Sequence, residues 1–290
     1  MFQGAFTALV TPFKNGQVDY KALEDSVEWQ IAQGIDGLVP AGTTGESATL
    51  THEEHIEVNR RVLLAAKGRA PVIAGTGSNS TAEAIALTKA AQNAGADAAL
   101  LVTPYYNRPS QEGMFRHYKA VAEQVSLPII VYNVPSRTGV NILPETLKRL
   151  AEIPNIVGVK EASGGVEQAA KIHELCSLLV IFSGDDALTV DMMAVGAKGV
   201  ISVTANIVPA DVRKMVGLAL KGKMDEARKI QQKLMSLHNA MFLEANPQPV
   251  KIALKMLGRG NGEFRLPLWG LSPENEEKLR AALKAYGLLQ

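Results

Sequence analysis

The sequence predicts an α/β fold, a (β/α)8 TIM barrel with a small C-terminal helical domain, and three observations predict it. Eight short apolar, strand-like segments recur along the chain, at residues 5–10, 37–40, 71–75, 98–102, 128–132, 156–160, 179–183 and 199–203. Their starts lie about 20 to 35 residues apart, the length of one βα unit. Beyond the last of them only helical patterns follow, at 224–244, 249–257 and 273–289. A doubly wound sheet is the competing arrangement, but it uses fewer strands and often a phosphate-binding glycine signature after the first. Here Leu9-Val10-Thr11-Pro12-Phe13 follows instead.

The connecting helices carry start signals. Thr51 with Glu54, and Ser80 with Glu83, have capping-box spacing, and Pro144 stands at an opening turn. Residues 209–219 supply the eighth barrel helix, so the barrel is expected over 1–222 and the helical domain over 223–290, packed together without a low-complexity linker.

Composition narrows the function. The 290 residues carry 30 basic and 29 acidic side chains, which gives no basic excess for nucleic acid or an anionic membrane surface, so a small-molecule partner is expected. One cysteine, Cys176, excludes an intramolecular disulfide and fits a reducing cytoplasm. No cysteine and histidine cluster has zinc-ligand spacing, and neither a metal nor a cofactor is expected. The N-terminus lacks a basic segment followed by an apolar run, and no stretch reaches the roughly 18 apolar residues of a membrane span.

The sixth strand ends in Lys160, and a charge closing a buried strand needs a reason. At the C-terminal rim of a barrel it projects into a partly desolvated cavity, the setting of an amine nucleophile; otherwise it snorkels to solvent or pairs with Glu161. Other stretches converge on the same rim. Gly42-Thr43-Thr44-Gly45-Glu46 follows the second strand and is either an ordinary glycine turn or a cradle of N–H and hydroxyl groups for a carboxylate or phosphate. Tyr105 and Tyr106 follow the fourth strand, and Tyr132 ends the fifth, with Arg137 offering a planar fork just beyond. An amine, phenols for proton transfer and anion-binding groups, with no metal or nucleotide motif, describe a Schiff-base lyase or aldolase.

Together GTTGE at 42–46, YNVPSRTG at 132–139, GVKEAS around Lys160, SGDD at 183–186, GVISVTAN at 199–206 and NPQPVK at 246–251 resemble the dihydrodipicolinate synthase (4-hydroxy-tetrahydrodipicolinate synthase) family over nearly the whole chain. The resemblance implies a homotetramer, a dimer of dimers, that condenses pyruvate with L-aspartate 4-semialdehyde on the way to diaminopimelate and lysine. It implies that Lys160 forms the pyruvate imine and that Tyr132, Thr43 and Tyr106 relay protons, Tyr106 reaching into a neighbouring subunit. Thr43 and Thr44 then hold the pyruvate carboxylate and Arg137 that of the semialdehyde, with Gly184 and Ile201 lining the pocket through their backbone.

His52 and His55 share a helical face, which by spacing alone is a solvated face. The resemblance matches them, with Ser47, Ala48, Asn79, Glu83 and Tyr105, to an allosteric site for inhibitory lysine at the tight-dimer interface. Two other functions compete. A sister aldolase of N-acetylneuraminate or a keto-deoxy sugar acid shares the lysine motif, but Arg137 suits a second carboxylate better than a polyol. A non-catalytic barrel that only binds 2-oxo acids has no need of Lys160 with its phenols.

Overall fold

A computed structural model describes residues 2–290. The eight expected strands are present: β1 (Gly4–Ala8), β2 (Gly37–Val39), β3 (Ile73–Gly75), β4 (Ala98–Val102), β5 (Ile129–Asn133), β6 (Ile156–Glu161), β7 (Val180–Ser183) and β8 (Gly199–Ser202). All pair in parallel, in the order β2-β1-β8-β7-β6-β5-β4-β3, and a bridge from Leu38 to Val72, just ahead of β3, closes the sheet into a barrel. One feature escaped the sequence reading. Phe13–Lys14 pairs antiparallel with Gln17–Val18 in a small hairpin that turns through Asn15 and Gly16, both at positive φ; an Asn-Gly dipeptide between strand residues is the signal for it.

Side chains alternate across the barrel wall and so form two cores. Phe6, Ala8, Val39, Ile73, Leu100, Ile130, Phe182 and Ile201 fill the interior, while Ala5, Leu38, Ala74, Ala99, Val131, Val159 and Ile181 face the helices. In β6 the alternation slips. Ile156 pairs with Ile129, yet Gly158 pairs with Ile130, so Val157 is an extra residue, and from there on Gly158 and Lys160 share the interior phase of Ile130 and Tyr132. This irregularity turns Lys160 inward.

The cap signals act in two ways. Thr51 and Glu54 close a reciprocal capping box on helix His52–Ala66, and Pro144 opens helix Pro144–Leu150. Ser80 caps Thr81–Ala94 by accepting from the Glu83 amide, but the Glu83 carboxylate does not return the bond; it turns to His52 and Ser78.

After the barrel helix Pro209–Leu220 come Met224–Ala240, Gln248–Met256 and Pro273–Tyr286. The first of these ends before Glu244, whose carboxylate accepts instead from the amide of Ser272 and the side chain of Asn275. It packs against both the barrel helix and Pro273–Tyr286. We propose the division between the two units at Gly222, which takes a left-handed φ of 74°. Among the described residues no helix is long and apolar enough to cross a membrane.

A buried ion pair ties the helical unit to the barrel. Lys251 Nζ lies 2.5 Å from Glu46 Oε1 and donates to the carbonyl of Thr11 at 3.0 Å, above the ring of Phe13. Both side chains are out of solvent. Burial pushes the Lys251 pKa down, and the Glu46 charge pulls it back up. Removing one partner leaves a bare buried charge, worth about 3–5 kcal/mol. Lys251→Ala is therefore expected to lower stability in urea unfolding by about that amount, and Lys251→Met with Glu46→Gln to recover much of it. An unchanged urea midpoint in Lys251→Ala would show that the pair constrains nothing.

Candidate active site

The rim of the barrel is built from the loops after β2, β4, β5, β6 and β7. Lys160 is 6% exposed, its stem inside the barrel and its ammonium 4.1 Å from the centre of the Tyr132 ring, the residue opposite it in register. Neither snorkelling nor pairing with Glu161 describes it. Glu161, one residue on, faces outward and is fully buried, accepting from Asn133 Nδ2, Gln168 Nε2 and the Ser163 amide.

Register places the neighbours of Lys160. It stands level with Phe182, and Phe182 with Gly199, so Gly184 and Ile201 lie level with each other, two residues higher. Gly184 is glycine for a steric reason: a Cβ there comes within 2.7 Å of the Ala162 Cβ and 3.1 Å of Lys160 Cε. The lysine stem runs through the space a side chain needs.

The Gly42–Glu46 stretch folds tightly, with Ala41 and Glu46 at positive φ, and lies so close to β3 that a Cβ on Gly75 falls 2.3 Å from the Ala41 carbonyl oxygen. Thr11 Oγ1 donates to the Gly45 carbonyl at 2.7 Å, and the buried Glu46 carboxylate anchors the turn on Lys251 and the Arg265 amide. Thr43 faces a cavity of about 390 Å³, and Thr44 is buried beneath, accepting from Asn246 Nδ2 at 3.0 Å.

Arg137 sits in the short helix Pro135–Thr138 and lines the same cavity, its Nη2 donating to the Asn246 carbonyl at 3.1 Å. Asn246 thus touches both Thr44 and Arg137 from the helical unit. In the sequence both Asn246 and Lys251 belong to the NPQPVK motif, which is the signal for them but carries no task by itself.

The fold does not bring Tyr106 to this mouth. It takes a φ of 70° and stands 89% exposed, while Tyr105 turns inward to the cavity. The convergence of both loop phenols on one rim is corrected to that extent: the backbone flips between them.

Ser47, Ala48, His52, His55, Glu83 and Tyr105 line the far end of the cavity that holds Thr43 and Arg137. Asn79 lies beside it, its carbonyl accepting from Asn107 Nδ2 at 2.9 Å. Hydrogen bonding from Ser78, then from His52, holds the Glu83 pKa down against burial. His55 is buried with Nε2 2.7 Å from the Gly75 carbonyl, and burial pushes its pKa down. A larger cavity, about 550 Å³, lies between helix Tyr20–Ala32 and the glycine-rich loop at 258–262. It takes in neither Thr43 nor Arg137, both of which line the smaller one.

Set beside known proteins, this arrangement has full-length counterparts. The profile of the Dihydrodipicolinate synthetase family matches residues 1–286. The 4-hydroxy-tetrahydrodipicolinate synthase of Geotalea uraniireducens is 58% identical over 290 residues, covering all of both chains. Among solved structures, the chloride-inhibited dihydrodipicolinate synthase of Acinetobacter baumannii complexed with pyruvate matches with a TM-score of 0.98 at 50% identity, over 100% of each chain. The Cyanidioschyzon merolae enzyme with lysine bound matches with a TM-score of 0.96 at 45% identity, over 99% of each. With one barrel, one set of rim motifs and matches that run from end to end, the chain belongs to the dihydrodipicolinate synthetase family.

Proposed function

We propose that the chain catalyses the 4-hydroxy-tetrahydrodipicolinate synthase reaction, the Schiff-base condensation of pyruvate with L-aspartate 4-semialdehyde in the diaminopimelate route to lysine. It is a lyase by class. The observation that carries this reading is Lys160, a lysine enclosed at the end of β6, beside a phenol and facing no carboxylate from its own strand. The relatives supply the reaction's name, and one solved relative is complexed with pyruvate.

The Lys160 amine adds to the pyruvate carbonyl and water leaves, giving a protonated imine that draws electrons from the methyl group. A methyl proton departs, and the enamine carbon attacks the aldehyde. The amine of the second substrate then displaces Lys160 by transimination, which closes the ring and frees the enzyme. Tyr132 and Thr43 carry protons on this path, with Tyr106 supplied by a neighbouring copy; its exposure supports that assignment and the homotetramer with it. Thr43 and Thr44 hold the pyruvate carboxylate. Arg137, steadied by the Asn246 carbonyl, clamps that of the semialdehyde. Gly184 and Ile201 wall the imine. A cytoplasmic location accompanies this reading, in keeping with a buried free thiol at Cys176.

Lysine is the proposed inhibitor, held by Ser47, Ala48, His52, His55, Asn79, Glu83 and Tyr105. A solved relative has lysine bound. The Glu83 carboxylate suits an ammonium group, and the shared cavity joins this end to Arg137 and Thr43.

Borohydride reduction with pyruvate is expected to add the adduct to Lys160 and to no other lysine, read by peptide mass mapping; an unmodified Lys160 in active protein would falsify the imine mechanism. Arg137→Ala is expected to leave that adduct intact while kcat/KM for the semialdehyde falls about 10- to 150-fold, mostly through KM, as loss of one charge-assisted clamp requires. Wild-type kinetics in this variant refute the clamp. Titration with free lysine should give partial inhibition of the native enzyme and little inhibition of Glu83→Ala. Indifference of the native enzyme to millimolar lysine removes the effector assignment.

A further inference from the structure

Asp186 is a buried carboxylate that the reaction above does not use. It follows β7, but its oxygens collect donors from the end of β8. Oδ1 accepts from the Ser202 hydroxyl, and Oδ2 accepts from the amides of Val203 at 2.8 Å and Thr204 at 3.2 Å. Ser202 Oγ in turn accepts from the Ala205 amide at 2.8 Å. Successive amides thus converge on one carboxylate and one hydroxyl, which fixes the course of the chain directly after Ile201.

The helical unit closes this cluster from outside. Gln231 Nε2 donates to the carbonyls of Asp186 and Ala187, and His238 Nδ1 is bonded to Thr204 Oγ1 at 2.9 Å. Burial pushes the His238 pKa down, against the pull of the Asp186 and Asp185 carboxylates. Local capping does not account for Asp186, because Asp185 already caps its own turn by accepting from the Ala187 amide at 2.9 Å. The neighbouring carboxylate is left to bridge two strand ends.

Those two strand ends bear Gly184 and Ile201, level with each other above Lys160. We propose that Asp186 is a positioning residue of the imine pocket: by bridging the β7 and β8 loops it holds the backbone at Gly184 and Ile201 against the Lys160 side chain. The proposal rests on the Schiff-base reading and works through those two residues, without contact to substrate. Arg137, the clamp on the semialdehyde, is steadied by the Asn246 carbonyl and lies outside this network. Loosening the bridge therefore affects pyruvate first.

The test compares native enzyme with Asp186→Asn and Asp186→Ala, following the rate of borohydride-trappable pyruvate adduct on Lys160 and the KM of each substrate. Asp186→Asn keeps the shape and one acceptor. It is expected to slow adduct formation about 10-fold and raise KM for pyruvate, with KM for the semialdehyde within about twofold of native; Asp186→Ala is expected to lose more. This ordering, with the conservative variant between the other two, supports positioning. An adduct rate unchanged in Asp186→Asn, or equal increases in both KM values, overturns it. His238→Gln supplies a milder lesion of the same bridge should either Asp186 variant fail to fold, and an unchanged pyruvate KM and adduct rate there also overturn the proposal. Absence of the adduct in native enzyme overturns the imine reading itself and is distinct from every outcome above.

Discussion

The pairing of Glu46 with Lys251 is the constraint on which the rest of the site depends. Two charges withdrawn from water tolerate only arrangements that neutralise both, so this contact selects one docking of the helical unit on the barrel more than it adds net stability. Glu46 accepts the unfavourable left-handed backbone that places its carboxylate there, and the turn bearing Thr43 and Thr44 is shaped in consequence. Five residues before Lys251, Asn246 reaches Thr44 and Arg137. The helices after the barrel therefore form the back wall of the mouth, and the same is true on the other side, where Gln231 and His238 meet the loops after β7 and β8.

The barrel was legible because its signals are local. Runs such as Ile129–Asn133 and Ile156–Glu161 announce buried strands within a few residues, and their spacing gives the architecture. The direction of Lys160 was legible too, from its place at a strand end. The Glu46 and Lys251 contact was not, since its partners lie 205 residues apart and nothing in GTTGE or NPQPVK points one motif to the other. The outward turn of Tyr106 depends on a positive φ at a residue type that rarely adopts one, which no periodicity reveals. Asp186 reads in sequence as half of an acidic pair, and only the closed barrel shows that its donors come from the next strand.

Glu83 illustrates how one residue serves a local rule or a distant one. Its position suits a capping box, and Ser80 does cap the helix. The carboxylate leaves the reciprocal bond unmade and bonds His52 and Ser78 instead. A missing local bond of this kind marks a side chain held for another partner, consistent with the acidic end of a cavity whose opposite end carries Arg137.

The extra residue at Val157 has a consequence for how this lineage can vary. Strand side chains obey an odd-even count, and the slip between Ile156 and Gly158 resets that count once, three residues before the lysine. Loops around the rim can lengthen or shorten without altering which way Lys160 faces. Within β6, loss of the extra residue Val157 restores strict alternation and keeps Lys160 opposite Tyr132, whereas loss of Val159 sends the amine toward the surrounding helices. The length of the strand beyond the slip is thus under tighter constraint than its composition.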